Sequence, residues 1–271
     1  MPTDSLKDFF YSQSALGTYQ ACQLKFKRRY LEGLFWPTTW SLDERAKELM
    51  EQGRQFHLLA QRYYAADGQT GHNLADPLSA WLVNLSAFRP IEDGSVFLPE
   101  QELRLHTPDL RLVAKYDLLV FKPDGRAIIY DWKTTGKPPR KEYWERHLQT
   151  IVYRYLLCAA GEACSPFGKV SPNMVSMLYW NPQYPEGFAA VPYSDSQFER
   201  DGQYLTSLLN EIESREWERF LATADEKRCK YCEYSPICLG VRAEEVELDE
   251  DAAVDMDLDW DNTAEFDWEG L

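Results

Sequence analysis

Three stretches between Val96 and Lys133 carry apolar residues in runs or in alternation, broken by turn residues, and this pattern predicts strands. Val96 to His106 alternates Glu100, Glu102 and Arg104 with Gln101, Leu103 and Leu105. Leu110 to Phe121 is apolar with one acid inside it, Asp117, and Ala127 to Lys133 reads Ala-Ile-Ile-Tyr-Asp-Trp-Lys. Thr107-Pro108-Asp109 and Pro123-Asp124-Gly125 have the chemistry of tight turns, so the three stretches are expected to form an antiparallel meander. Met174 to Trp180 reads as a fourth, buried strand, with Phe188 to Val191 set to pair with it.

Spacings of three and four predict the helices. Ala15 to Leu31, opened by Ser14, places Leu16, Tyr19, Cys22, Phe26 and Tyr30 on one side and Lys25, Lys27, Arg28 and Arg29 on the other. Such a basic cluster is either a solvated face or a contact for phosphates. Ser41 followed by Glu44 has the form of a capping box, and its helix should run to about Ala66 with Gly53 and His57 one turn apart. A short helix is expected over Pro77 to Phe88, with Trp81 and Leu85 inward. After Pro138-Pro139 another should run from Glu142 to about Ala160, with Gln149 and Tyr153 one turn apart. Ser194 to about Ala222 reads as a long helix with Phe198, Tyr204, Leu208 and Ile212 inward.

A chain of 271 residues can bury one sizeable core, or a core with an accessory lobe. No apolar run approaches a membrane span and the N-terminus lacks the layout of a signal peptide, so a cytoplasmic protein without membrane contact is expected. Six cysteines in that setting argue against a disulfide framework and for metal or cluster ligation where the spacing is tight. The net charge of −15 is uneven: residues 243–271 hold 13 acids and no Lys or Arg, leaving 31 acids against 29 bases in the preceding 242 residues. A near-neutral body can still carry a basic groove. The acidic stretch, 241–271, has the composition of a disordered tail, although Trp260 and Trp268 give it stackable rings.

Residues two apart on a strand share a face, so Asp131 and Lys133 point the same way. Pairing of the neighbouring strands can bring Asp117 beside Asp131, and two carboxylates forced together in a half-buried site call for a divalent cation. A lysine beside them suits phosphate chemistry. The plainer alternative is a hairpin with a surface salt bridge between Asp131 and Lys133. Cys229, Cys232 and Cys238 can converge on one centre, and a fourth ligand is needed to close either a tetrahedral zinc site or a [4Fe–4S] cluster. Cys158 reads as a small buried apolar residue and Cys164 as a loop thiol.

Asp117 followed by Asp131-Trp132-Lys133 resembles the signature of the PD-(D/E)XK nuclease superfamily. Gly53-x3-His57, Gln149-x3-Tyr153, and Ser14-Ala15-Leu16 with Tyr19, Cys22 and Phe26 resemble motifs of its RecB and AddB-type nucleases, and of the related CRISPR-adaptation nucleases. These motifs occur in the family's order from residue 14 to residue 238. Gln23 stands where the family commonly has proline, and Ala114 where a glycine often precedes the second-strand Asp; neither is a ligand position.

The resemblance implies an α/β fold: a restriction-endonuclease-like core, a mixed sheet of about four core strands flanked by helices. The N-terminal helix and a C-terminal iron–sulfur lobe would be joined by Cys22, Cys229, Cys232 and Cys238 around a [4Fe–4S] cluster, all within residues 1–240. It implies Mg²⁺ or Mn²⁺ held by His57, Asp117, Asp131 and the carbonyl of Trp132, with Lys133 positioning or activating the attacking water. Gln149 and Tyr153 would orient the DNA backbone or the lysine, and Glu102 would support the metal through a water. The implied activity is a metal-dependent deoxyribonuclease, an exonuclease in mode, in repair, recombination or defence. A helicase or other repair or defence protein would be its partner. The competing class is a non-catalytic iron–sulfur DNA-binding or scaffold module; the intact set of His57, Asp117, Asp131 and Lys133 argues against it.

Overall fold

The computed structural model of the protein describes residues 6–34, 44–66, 76–134, 137–230 and 232–240. Ser41 and the acidic stretch from 241 lie outside the described residues. Five strands form one mixed sheet in the order β1 (Val96–His106), β2 (Arg111–Phe121), β3 (Ala127–Trp132), β4 (Val175–Trp180) and β5 (Phe188–Pro192). The three-stranded meander is present, and β5 pairs antiparallel with β4, so the sheet has five strands rather than about four. β3 and β4 run parallel, which requires a crossover, and the helices α5 (Lys141–Trp144) and α6 (Leu148–Ala160) supply it.

Both faces of the sheet are covered, which is why β3 and β4 read as nearly continuous apolar runs. Ala127 and Ile129 pack with Leu156 of α6 and with Leu209 of α7 (Asp195–Glu213). On the opposite face Tyr130, Trp132 and Trp180 meet Phe56 of α3 (Glu44–Ala65) and Trp81 and Leu85 of α4 (Leu78–Phe88). Among the described residues no helix is long and apolar enough to cross a membrane.

Three predicted helices are shorter than their periodicity suggests, each for a local reason. The first is split into α1 (Gln13–Ala21), α2 (Gln23–Phe26) and a π-helical turn (Lys27–Leu31). Cys22 is extended there, with φ −161°, and its Sγ accepts from the Lys25 N–H at 3.4 Å, so it caps the second helix as Ser12 caps the first. The stretch from Glu142 to Ala160 breaks between Trp144 and Leu148, where His147 Nδ1 accepts from the Gln149 N–H at 3.3 Å. The last long helix ends at Glu213 rather than near Ala222, and Tyr204, expected inward, is half-exposed with its hydroxyl accepting from the Gln20 amide.

The basic run after Cys22 is largely taken up inside the molecule. Lys25 and Arg29 both reach the buried Glu233, at 2.8 and 3.4 Å, and Lys27 lies over the Trp217 ring at 4.3 Å while donating to its carbonyl. The Leu24 N–H donates to the Leu221 carbonyl at 3.0 Å. These contacts fasten the N-terminal helices to the C-terminal segment holding α8 (Glu226–Lys230) and α9 (Ser235–Leu239).

Candidate functional site

The site forms at the end of the sheet where β2, β3 and α3 converge. Leu118 pairs with Tyr130, so the register sets Asp117 opposite Asp131. The Trp132 N–H donates to Asp117 Oδ2 at 2.7 Å, and His57 of α3 approaches Asp117 Oδ1 with its Nδ1 at 3.2 Å. Two residues along β3, Lys133 Nζ lies 2.8 Å from Asp131 Oδ1 and donates to Gln149 Oε1 at 3.1 Å. Gln149 closes the triangle by donating from Nε2 to Asp131 Oδ2 at 2.6 Å. The ammonium also sits over Trp144, itself stacked on Tyr179 with ring centroids 4.0 Å apart.

The electrostatics follow from burial and from these neighbours. Burial pushes the Asp131 carboxyl up to about 6, against the pull of Lys133 and with the repulsion of Asp117. Burial also works against charge on Asp117, but His57, the Trp132 N–H and Lys133 outweigh it and hold that carboxyl below its usual value. For His57, burial disfavours the imidazolium, yet Asp117 overcomes this and raises the imidazole to about 9. Asp131 Oδ1 is buried and, despite the nearby ammonium, accepts no hydrogen bond of good geometry.

The resemblance pointed to Glu102 on β1, but the structure brings a different glutamate to the site. The donor atoms of His57, Glu100 and Asp117 all lie within 4.8 Å of one another, the single such triad among the described residues. The Glu102 side chain is 46 % exposed and engaged by Arg104 at 2.7 Å. The cause is a slip of the face pattern in both strands. On β2, Leu112, Ala114 and Tyr116 pack on the α6 side, but beyond Asp117 it is Leu119 and Phe121 that do, while Leu118 and Val120 cross to the α3 side. On β1, Leu98 lies on the α6 side before the slip and Leu103 and Leu105 after it. The ladder register is the same on both sides, Pro99 with Leu118 and Gln101 with Tyr116, so Glu100 and Asp117 face each other where the alternation slips. Glu100 carries the cost: its φ of +52° is left-handed, rare for a residue with a side chain. Pro99 beside an acid was the one available sequence signal, and it was too weak to be decisive.

Tyr153 lies one turn after Gln149 on α6. It is buried in the core with its ring 5.0 Å from that of Tyr116, and its carbonyl accepts from the Tyr116 hydroxyl. Gly53 is buried on α3 one turn before His57. Cys22, Cys229, Cys232 and Cys238 gather in the lobe built from both ends, where Cys22 acts electrostatically on each of the other three. Cys158 and Cys164 lie elsewhere, partly buried against the main core.

Similarity to known proteins was found at two levels. The solved structure of SSO0001 matches with TM-score 0.39 and 13 % identity, over 86 % of this chain and 87 % of that one. A candidate exonuclease from Eubacterium rectale matches with TM-score 0.45 and 10 % identity, over 75 % of this chain and 79 % of that one. No curated protein matches the chain. The sequence profile of the PD-(D/E)XK nuclease superfamily matches residues 11–89 and 78–239, a span that contains His57, Asp117, Asp131 and Lys133 together with every strand of the sheet; the chain belongs to the PD-(D/E)XK nuclease superfamily.

Proposed function

We propose that the protein is a divalent-metal-dependent deoxyribonuclease of the RecB type, hydrolysing phosphodiester bonds from a DNA end. One observation carries this reading: Asp117 and Asp131 oppose each other across β2 and β3 with Lys133 two residues on, bound to both Asp131 and Gln149.

The residues fit a hard divalent cation. Buried carboxylates beside an imidazole are an oxygen-rich donor set, and the buried Asp131 Oδ1 has the Lys133 ammonium as its near partner and a free lone pair for a cation. His57, Asp117, Asp131 and the carbonyl of Trp132 would hold Mg²⁺ or Mn²⁺. Such an ion offsets the charge of a phosphodiester and makes bound water easier to deprotonate. Lys133, fixed by Asp131 and Gln149, would steady charge developing on the phosphate oxygens and orient the attacking water. Gln149 would keep the lysine aimed, and Tyr153 would support α6 from within the core. None of these groups reads a base edge, so cleavage should show little sequence preference.

We further propose that Cys22, Cys229, Cys232 and Cys238 hold a [4Fe–4S] cluster. Four thiolates are the ligand number of either a tetrahedral zinc ion or a [4Fe–4S] cluster, and the family resemblance is what favours the cluster. With DNA as substrate and no helicase motif in the sequence, an unwinding protein of a repair or defence pathway is the proposed partner.

The test is an anaerobic purification followed by a Mn²⁺-dependent assay on end-labelled single- and double-stranded DNA. Asp131→Ala and Lys133→Ala should each lower cleavage by a factor of about 10² to 10³ or more while the fold survives. Cleavage by Asp131→Ala at the wild-type rate would remove the active-site assignment. A brown protein absorbing near roughly 400 nm would mark iron rather than zinc.

A further inference from the structure

We propose that Glu100 is an additional ligand of the cation, binding it together with His57 and Asp117; the inference rests on the metal-dependent reading above. The resemblance supplies His57, Asp117, Asp131 and a carbonyl as ligands and, from β1, only Glu102 acting through a water. Three observations lead to Glu100. Its carboxylate lies with His57 and Asp117 in a group whose donor atoms are all within 4.8 Å of one another, close enough for one ion to draw them in with small side-chain adjustments. It stands opposite Asp117 where both strands slip their face pattern, and the φ of +52° is the backbone price of bringing a β1 carboxylate there. The Glu100 side chain is 17 % exposed against 46 % for Glu102, so the buried acid is the one turned to the site.

A purely structural role for Glu100 would run through Lys115, whose Nζ lies 2.6 Å from Oε2. That pair is open to solvent on the lysine side, where ion pairs contribute little. A carboxylate also offers a second oxygen. With the cation in place, Glu100 would bring a third carboxylate around it and anchor it to the edge strand, which carries none of the other proposed ligands.

The two roles predict opposite results for the two partners of the pair. Mn²⁺ binding to the full-length protein is read by calorimetry and by loss of the free-ion electron paramagnetic resonance signal, in the absence of DNA. Glu100→Gln should weaken Mn²⁺ binding about tenfold or more, whereas Glu102→Gln should leave it unchanged. Lys115→Met, which removes the ion pair but keeps the ligand, should bind Mn²⁺ at least as tightly as wild type. If Glu100→Gln binds as tightly as wild type, or if Lys115→Met reproduces its loss, Glu100 is not a ligand, and the nuclease reading stands untouched. If wild type itself binds no Mn²⁺, the metal-dependent reading fails and this inference with it. Glu100→Asp, which keeps the charge on a shorter arm, should fall between Gln and wild type; equal weakening by Asp and Gln would also count against direct ligation.

Discussion

Asp131 and His57 hold opposite charges in one buried site, and both are displaced in the same direction. Asp131 is raised to about 6 and His57 to about 9, so each keeps its proton to higher pH than it would in water. A cation must displace those protons, which ties metal affinity to pH. The sign follows directly: below about 6 both groups are protonated and compete with the ion, between about 6 and 9 only the imidazole does, and above about 9 neither does. Mn²⁺ affinity measured calorimetrically should therefore climb from pH 6 to pH 9, with proton release shown by its dependence on buffer ionisation heat. Affinity that is flat over that window would mean that these two groups do not contact the ion.

At the scale of elements, the site depends on α6 being docked at a fixed height over β3. The break before α6 is what sets that height: His147 caps it, the Thr150 hydroxyl donates to the Trp144 carbonyl at 2.6 Å, and Gln149 is left pointing at Asp131 and Lys133. Gln149→Leu keeps the volume but leaves Asp131 Oδ2 buried with no amide donor. That change should cost about 1–3 kcal/mol in denaturant unfolding of the metal-free protein and should also slow cleavage, because Lys133 loses its second anchor. A variant that cleaves normally and unfolds at the wild-type denaturant concentration would show that the amide bridge is incidental.

Across the whole molecule, the two ends of the described chain are joined in one lobe, by Glu233 with Lys25 and Arg29 and by the proposed cluster. Cys22→Ser keeps an acceptor for the Lys25 N–H, so the helix cap survives while the cluster ligand is removed. Iron content should fall and thermal stability should drop broadly, by about 3–5 kcal/mol if closing so long a loop stabilises as a covalent cross-link would. Unchanged iron would refute the assignment of Cys22. The acidic stretch beyond Val241 combines charge with Trp260 and Trp268, and we propose that it competes with DNA for the protein. A protein ending at Val241 should bind DNA more tightly and with a steeper salt dependence, since a competing polyanion is gone. Equal affinity and cleavage at low salt would leave the stretch as a partner-binding or inert segment.

The sequence by itself determined the hairpin and which side chains it brings together. Apolar runs either side of Pro123-Asp124-Gly125 admit one register that buries them, and that register puts Asp117 opposite Asp131 with Lys133 two residues on. The capping signal at Ser41 and Glu44 likewise predicts the helix that carries His57, one turn after Gly53, and that helix reaches them. These are local decisions, made by turn geometry and by periods of two and of 3.6. Tertiary structure decided the rest: the parallel join of β3 to β4, the burial of Tyr153 against Tyr116, the capture of Lys25 and Arg29 by Glu233, and the choice of Glu100 over Glu102. Each depends on a partner far along the chain. The choice of glutamate is the clearest case, since alternation places Glu100 and Glu102 on one face, and only the packing of β1 and β2 between two helical layers makes a left-handed residue at position 100 worth its backbone strain.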